Sequence, residues 1–512
     1  MQENYTTDVE YPATYFHFQT PIVMSSVALL TGYEHRFPGS SFTYCDFGCG
    51  QGFTLCLLAA CNPNAKFYGI DINADHIANV RRTVEQFDLH NITLINASFQ
   101  HLTPEDLPDL DYAAITGVFS WLPESTRSNL VQYVARRLKD GRLCFIHYLS
   151  MPGVGRTLGT TALTQLLSGQ QAGDSAARAT AAVSELCNVL EDNPELPFNK
   201  ASPLTQEVLG RQLKKDPGAL AHDILNRNLQ PMWFHQVAQA FSQHGLGFVG
   251  HARPHMNAFG DIYKHIAAKP YNDFRKKYDD PVLREEMIGF LLDLPVRIDI
   301  FGKNLSKSNT DGVSDFSNLS IFSLVGARHG AARTQMKDGV SVDLFQPIYS
   351  EILDAVAKSD QEAATIYDYC SQKYGAEKTR QALLHLYGAN LITFGGQSNW
   401  ALQGERAFSP SAFDKYVLFE LLSQPGKAPV PSRLLASCIK LPHMERILLA
   451  VLVSNDPKSV WDIISRCDVM LRTPDKQAIS DYETFSEMLP GTLEVFKTRR
   501  LPSLLRLGLL SL

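Results

Sequence analysis

The feature that most constrains the fold is a glycine loop between a short apolar strand and a helix, with an acid at the end of the next strand. Residues 42–47, Phe-Thr-Tyr-Cys-Asp-Phe, predict a buried strand. Gly48-Cys49-Gly50-Gln51-Gly52 follows, and the apolar run 53–61 predicts a helix that Pro63 ends. Residues 66–71, Lys-Phe-Tyr-Gly-Ile-Asp, predict a second strand closing on Asp71. A helix is expected over 75–87, capped by Asn73 or Asp75. Further strands are expected over 92–96, 111–117 and 142–149, the last after an Asp140-Gly141 turn, with a helix over 125–138. Strands alternating with helices of this length predict an α/β fold, a parallel sheet covered on both faces.

Each part has a chemical use. Glycines at 48, 50 and 52 let the backbone turn tightly and approach a ligand where a β-carbon would clash. The helix that starts beside them aims unpaired N–H groups at the same place. Asp71, at the carboxyl end of its strand, can accept hydrogen bonds from both ribose hydroxyls of a nucleoside cofactor. A nicotinamide site would need the spacing G-x-G-x-x-G, whereas here the glycines alternate and position 53 is Phe. Asp46, two residues before the loop, would repel a pyrophosphate and attract an ammonium or sulfonium group. S-adenosylmethionine carries those positive groups and no phosphate, so the loop favours it.

The segment Asp46-Phe-Gly-Cys-Gly-Gln-Gly52, with Asp71, resembles the first two motifs of class I S-adenosylmethionine-dependent methyltransferases. Tyr11-Pro12, the stretch 16–21, Asn91-Ile92, Gly117-Val-Phe-Ser-Trp-Leu-Pro123 and Met151-Pro-Gly153 resemble a narrower group, bacterial methyltransferases with a methyltransferase regulatory domain. That group includes protein lysine methyltransferases of intracellular bacteria. Its usual Gly-Val-Tyr-Ser-Trp-Val-Pro stands here with Phe119 and Leu122, and its Ser-Tyr-Asn as His147-Tyr148-Leu149. His222, Asp223, Asn226, Pro231, Trp233 and Phe234, then Arg284, Glu285, Phe290, Arg297 and Phe301, resemble the regulatory-domain pattern.

The resemblance implies a Rossmann-like sheet with helical insertions and a bound S-adenosylmethionine. It puts Asp46, Gly48 and Gly50, with Cys49 and Gly52 of the same loop, around the methionine half, and Asp71 on the ribose. Ile72 can pack on the adenine face, and Ser98 and Phe99 stand at the height of the adenine ring, the first a weak acceptor and the second a stacking surface. Thr116 and Gly117 end the fourth strand beside the sulfonium, and Phe119 and Trp121 can wall the acceptor pocket. Tyr15, His17, His147 and Tyr148 could orient an acceptor amine. Strand alternation allows only one of His147 and Tyr148 to face the site, and Tyr148 is the one expected there. The reaction implied is methyl transfer to a protein lysine side chain; a small molecule or glycan is the alternative acceptor.

The length, 512 residues, suggests about three domains. The expected division is a methyltransferase core over 1–153, helical insertions with late strands completing the sheet over 154–330, a winged-helix-like module over 331–400 and a helical C-terminal region over 401–512. The late strands are expected at 246–251, 298–301 and 321–325, and Ala428-Pro-Val-Pro431 as a rigid linker or turn. Everything past about 330 is expected to be dispensable for cofactor binding. A net charge of −6 makes the chain a poor nucleic-acid binder, and the basic groups of the module's third helix are few. Cys45, Cys49, Cys56 and Cys61 contain no C-x-x-C pair, so no metal is expected. No apolar run reaches 18 residues and the N-terminus lacks signal-peptide character, which predicts a cytoplasmic protein without a membrane span. The leucine-rich end, 499–512, suits docking on the core or a homodimer contact.

Overall fold

The structure, a computed structural model, describes residues 6, 8–203, 205–261, 263–308, 316, 318–324, 333–335, 341–358, 361–396, 411–424, 426–466, 471–472 and 478–509. After a capped helix α1 (Pro21–Leu30), the strands and helices alternate as β1 (Thr43–Phe47), α2 (Phe53–Cys61), β2 (Lys66–Asp71), α3 (Ala74–Gln86), β3 (Ile92–Asn96), β4 (Leu110–Ile115), α4 (Glu124–Arg137) and β5 (Leu138–Leu149). Asn73 is the cap of α3, its side chain accepting from the Asp75 and His76 N–H groups. Residues 138–149 form one continuous strand rather than a turn followed by a strand; the irregularity is absorbed as a register break against Leu110 and Tyr112.

Five helices come next: α5 (Leu158–Ser168), α6 (Ser175–Glu191), α7 (Pro197–Ala201), α8 (Thr205–Gln212) and α9 (Pro217–Leu225). Then follow α10 (Phe234–Ser242), β6 (Leu246–His251), β7 (Tyr263–Lys264), α11 (Ala268–Lys277), α12 (Pro281–Leu291) and β8 (Val296–Lys303). The main sheet has seven strands in the order β3-β2-β1-β4-β5-β8-β6. Strands β1 to β5 pair in parallel, and β8 runs antiparallel between β5 and β6. The strand order reverses between β1 and β4, and ligands of open α/β sheets bind at such a point.

The strand expected at 321–325 does not join this sheet. It is β9 (Leu319–Ser323), flanked by β12 (Gln361–Glu362) and β13 (Ile392–Gly396) in a separate sheet of three, while β10 (Arg333–Gln335) and β11 (Ser341–Asp343) pair with β7 in another. The seven-stranded sheet is already edged by β6, and Ile321 and Leu319 are instead buried with Ile352, Leu383 and Phe394. Helices α13 (Pro347–Lys358), α14 (Ala363–Tyr374) and α15 (Ala376–Gly388) lie between β9 and β13 in sequence. They share one apolar core with α1 and one face of the main sheet, including Val23, Val27, Tyr112 and Phe145. The other face is covered by α4 and α10 through Leu130, Val134, Val237 and Phe241. Of the strand expected at 321–325, residue 325 lies outside the described residues.

The C-terminal region is not wholly helical. Ala428–Ser432 (β14) and Ser437–Leu441 (β15) form an antiparallel hairpin. Pro429 and Pro431 are tolerated because their period-two spacing puts both on the free edge, where no ladder donor is required. This hairpin and α16 (Ala412–Glu420) pack on the outer face of α2, with Phe413, Val417, Ala428 and Cys438 against Cys56, Leu57 and Cys61. The Cys61 thiol donates to Ser437 O at 3.1 Å and Asn62 Nδ2 to Ala436 O at 3.1 Å. The leucine-rich end docks on its own chain: Leu504, Leu507 and Leu509 are buried, and Ser432 Oγ donates to Leu507 O. A chain truncated near 330 therefore bares the back of the helix that carries the glycine loop. Such a truncation is expected to be insoluble or to lose cofactor binding; a soluble product binding with full-length affinity in calorimetry would overturn this. Among the described residues no helix is long and apolar enough to cross a membrane.

Candidate active site

The loop after β1 is held by backbone and packing together. Gly48 and Cys49 N–H groups both donate to Ile70 O, at 2.8 and 3.1 Å, which ties the loop to β2. Gly48 has φ +84°, and a β-carbon there would lie 2.3 Å from Val118 Cγ1. Gly52 caps α2 with φ +62°, and a β-carbon there would meet Val80 at 2.6 Å. Both positions need glycine for conformation and for space.

Asp71 closes the loop from below. Its Oδ2 accepts from Gly50 N at 2.9 Å and its Oδ1 from Asn73 N at 2.8 Å. Each carboxylate oxygen keeps a free lone pair for a further donor, as two ribose hydroxyls require. Asn96 Nδ2 donates to the carbonyls of Asp71 and Ile72, both at 3.0 Å, and so fixes the chain leaving β2. His76 Nδ1 stands 3.7 Å from Asp71 Oδ1, buried, and neither of its ring nitrogens has a hydrogen-bond partner among the described residues.

Asp46 lies across the loop from Asp71. Its Oδ2 accepts from Gln19 Nε2 at 2.8 Å, while its buried Oδ1 has no partner among the described residues. Burial, opposed by the Gln19 bond and reinforced by Asp71, pushes the Asp46 carboxyl up to about 7. Gln19 Nε2 also donates to Tyr44 OH at 3.0 Å, and Gln19 Oε1 accepts from Thr116 Oγ1 at 2.6 Å.

These groups border one cavity of about 400 Å³, within the range of small-molecule sites. Asp46, Gly48, Cys49, Gly50, Gly52, Asp71, Ile72, Ser98, Phe99, Thr116 and Gly117 all line it. Trp121, His147, Tyr148 and Asn226 line it as well. The structure places both members of the His147/Tyr148 pair on the wall, because the strand ends at the cavity rim. The Tyr148 hydroxyl turns away and donates to Asp299 Oδ2 at 2.8 Å. The His147 ring packs on Phe16 at 5.1 Å, and its Nδ1 has no partner among the described residues. Burial and Arg253 push it down to about 4, so it is neutral at neutral pH.

Tyr15 and His17 are not among the residues lining the cavity. Tyr15 is hydrogen-bonded to Ser437 Oγ at 2.8 Å and accepts from Cys438 N, so the C-terminal hairpin claims its hydroxyl. His17 packs against Tyr15 and Phe18. The strap of residues 8–16 is tied on one side to α2 and on the other to α6 and α9, which form a lid. Thr54 Oγ1 donates to Thr14 O and accepts from Phe16 N, Asp8 accepts from Ser175 N of α6, and His222 of α9 is bonded to Val9 O. Tyr11, His222 and Asp223 also line the cavity, so strap and lid cover it together.

Three cavity residues carry no local signature that could have picked them out: Gln19, His76 and Asn226. Gln19 lies in the matched stretch 16–21 and Asn226 in the matched stretch 222–226, but a single glutamine or asparagine says nothing of its partners. His76 is one turn into α3 and reaches the site only because the helix begins beside Asp71.

Two family descriptions match the chain: "Methyltransferase domain" over residues 45–141 and "Predicted methyltransferase regulatory domain" over residues 216–303. The chain thus carries stretches similar to a methyltransferase domain and, after it, to a methyltransferase regulatory domain. The chain is similar over its whole length to the uncharacterized protein sll1526 of Synechocystis, 26% identical over 521 residues and covering 99% of each chain. It is 24% identical over 308 residues to the uncharacterized protein RP789 of Rickettsia prowazekii, covering 59% of this chain and 53% of that one. Its fold is similar to that of PKMT2 from Rickettsia typhi, a structure solved in complex with AdoHcy. The TM-score is 0.68 at 16% identity, over 98% of this chain and 100% of that one.

Proposed function

We propose that this methyltransferase transfers the methyl group of S-adenosylmethionine to the side-chain nitrogen of protein lysines. The observation that carries the cofactor is the pair of acids, Asp46 and Asp71, around a glycine loop. They suit a cationic nucleoside and disfavour a pyrophosphate. The whole-chain likeness to PKMT2, crystallised with AdoHcy (the demethylated cofactor), supports the same choice, and with the motifs 117–123 and 222–226 it supports lysine.

S-adenosylmethionine supplies an electrophilic methyl group on a sulfonium. Asp71 would hold the ribose, Asp46 Oδ1 the ammonium of the amino-acid half, and Ile72, Ser98 and Phe99 the adenine. The acceptor nitrogen must arrive neutral, attack in line, form the N–C bond as the S–C bond breaks, and release one proton. Trp121, Phe16 and the Tyr148 ring suit the alkyl stem of lysine and exclude water from an attacking amine. His147 Nδ1 and Asn226 Oδ1, both without partners among the described residues, are acceptors that can orient N–H groups. The alignment of nucleophile, carbon and sulfur supplies most of the acceleration such a transfer needs.

The test is incubation with methyl-labelled S-adenosylmethionine and whole bacterial extract. Label is expected in protein, released by acid hydrolysis as methyl-lysine, and lost when protein lysines are blocked beforehand. Label confined to small molecules or glycans would replace the lysine reading with the other acceptor class.

A further inference from the structure

The side chain that fixes the charged end of the cofactor pocket comes from outside the loop. Gln19 is 1% exposed and reaches the cavity from the turn before α1. Its position is rigid: Thr20 caps α1 by accepting from Val23 N, and Pro21 starts the helix. The amide bridges the carboxyl ends of β1 and β4, the strands on either side of the reversal in sheet order. Its nitrogen donates to Asp46 Oδ2 and Tyr44 OH, and its oxygen accepts from Thr116 Oγ1. Turning the amide over would face its oxygen to a carboxylate, so its orientation is set.

We propose that Gln19 is the positioning residue for the amino-acid half of the cofactor: it occupies Asp46 Oδ2 and leaves Oδ1 as the oxygen presented to the ammonium. This rests on the S-adenosylmethionine reading above. The bond to Gln19 also favours the charged form of Asp46 against its surroundings. Those are Asp71 on β2, Tyr44 and Cys45 on β1 and Cys49 in the loop, none of them cationic. Without the Gln19 donor, Asp46 keeps its proton to higher pH and cannot pair with an ammonium. The N-terminal segment thus takes part in cofactor selection as well as in covering the cavity.

The test compares three ligands by calorimetry on the full chain: S-adenosylmethionine, S-adenosylhomocysteine, and 5′-methylthioadenosine, which has the nucleoside without the amino-acid half. Gln19→Leu is expected to weaken the first two at least about tenfold, as loss of a hydrogen bond to a charged group does, and to leave methylthioadenosine within roughly twofold. Wild-type affinity for S-adenosylmethionine falls as pH drops through about 7, where Asp46 takes its proton; in Gln19→Leu that midpoint moves upward. Thr116→Val, which removes the donor that anchors the amide oxygen, gives a smaller loss of the same kind and carries the test if Gln19→Leu does not fold. Parallel loss of all three ligands, or no loss, overturns the proposal. A wild-type protein that binds methylthioadenosine but gains nothing from the amino-acid half also overturns it, and one that binds none of the three overturns the cofactor reading instead.

Discussion

Asp71→Ala is expected to lower the affinity for S-adenosylmethionine by at least about 100-fold, to below detection in ordinary calorimetry. Two effects add. The ribose loses both acceptors, and hydrogen bonds to a charged group are worth about 1.5–3 kcal/mol each. The loop loses its clamp as well, because Gly50 N and Asn73 N, now bonded to the two carboxylate oxygens, are left without an acceptor. Asp71→Asn separates these effects: one amide oxygen remains to accept, so affinity falls less. Unchanged affinity in Asp71→Ala, with the protein folded, would remove Asp71 from the site.

Arg297→Met is expected to cost about 3–5 kcal/mol of stability, the usual loss when one partner of a buried ion pair is removed. Arg297 is 1% exposed. It donates to Asp299 through Nε at 3.0 Å and Nη2 at 2.9 Å, and to Glu285 Oε2 through Nη2 at 2.7 Å; its guanidinium also lies 4.4 Å from the centre of the Phe234 ring. Methionine keeps the bulk and removes the charge, leaving Asp299 and Glu285 side by side in the interior. Burial already holds the Glu285 carboxyl above the ordinary range, and losing Arg297 raises it further. A carboxyl raised in the folded state contributes stability that is lost as pH climbs through that value. The variant is therefore most impaired at pH 8 and partly recovers at pH 5. Chemical denaturation at the two pH values checks both points; a loss that does not depend on pH would mean packing rather than charge. Asp299 also receives the Tyr148 hydroxyl, so the variant loosens one wall of the cavity.

Local order was readable where partners are near in sequence. The glycine loop, Asp71 and the cap at Asn73 fall within some thirty residues, and strand–loop–helix–strand fixes where they meet. Partners far apart in sequence were not readable. Periodicity marks 319–323 as a strand, but nothing in it says that β12 and β13 flank it rather than the main sheet. Pro429 and Pro431 look like a linker until a second strand, β15, is known to pair beside them. Tyr15 sits in an aromatic stretch that suits a pocket wall, yet its hydroxyl partner is Ser437, 422 positions away. Alternation along β5 separates His147 from Tyr148, but the strand ends at the rim, where both rings meet the cavity. The motifs around Glu285 and Arg297 resemble a regulatory pattern, and only the fold gives their physical sense: a buried charge group behind the cavity wall at Tyr148.

The hairpin on the back of α2 has a consequence for synthesis. As the chain leaves the ribosome, β1, the glycine loop and α2 emerge first, but the apolar face of α2 stays uncovered until residues 411–441 follow. Contacts of such long sequence separation form late and slowly. The nascent protein thus carries the glycine loop on an uncovered α2, with Cys56, Leu57 and Cys61 open to chaperones, until the hairpin and α16 have been made.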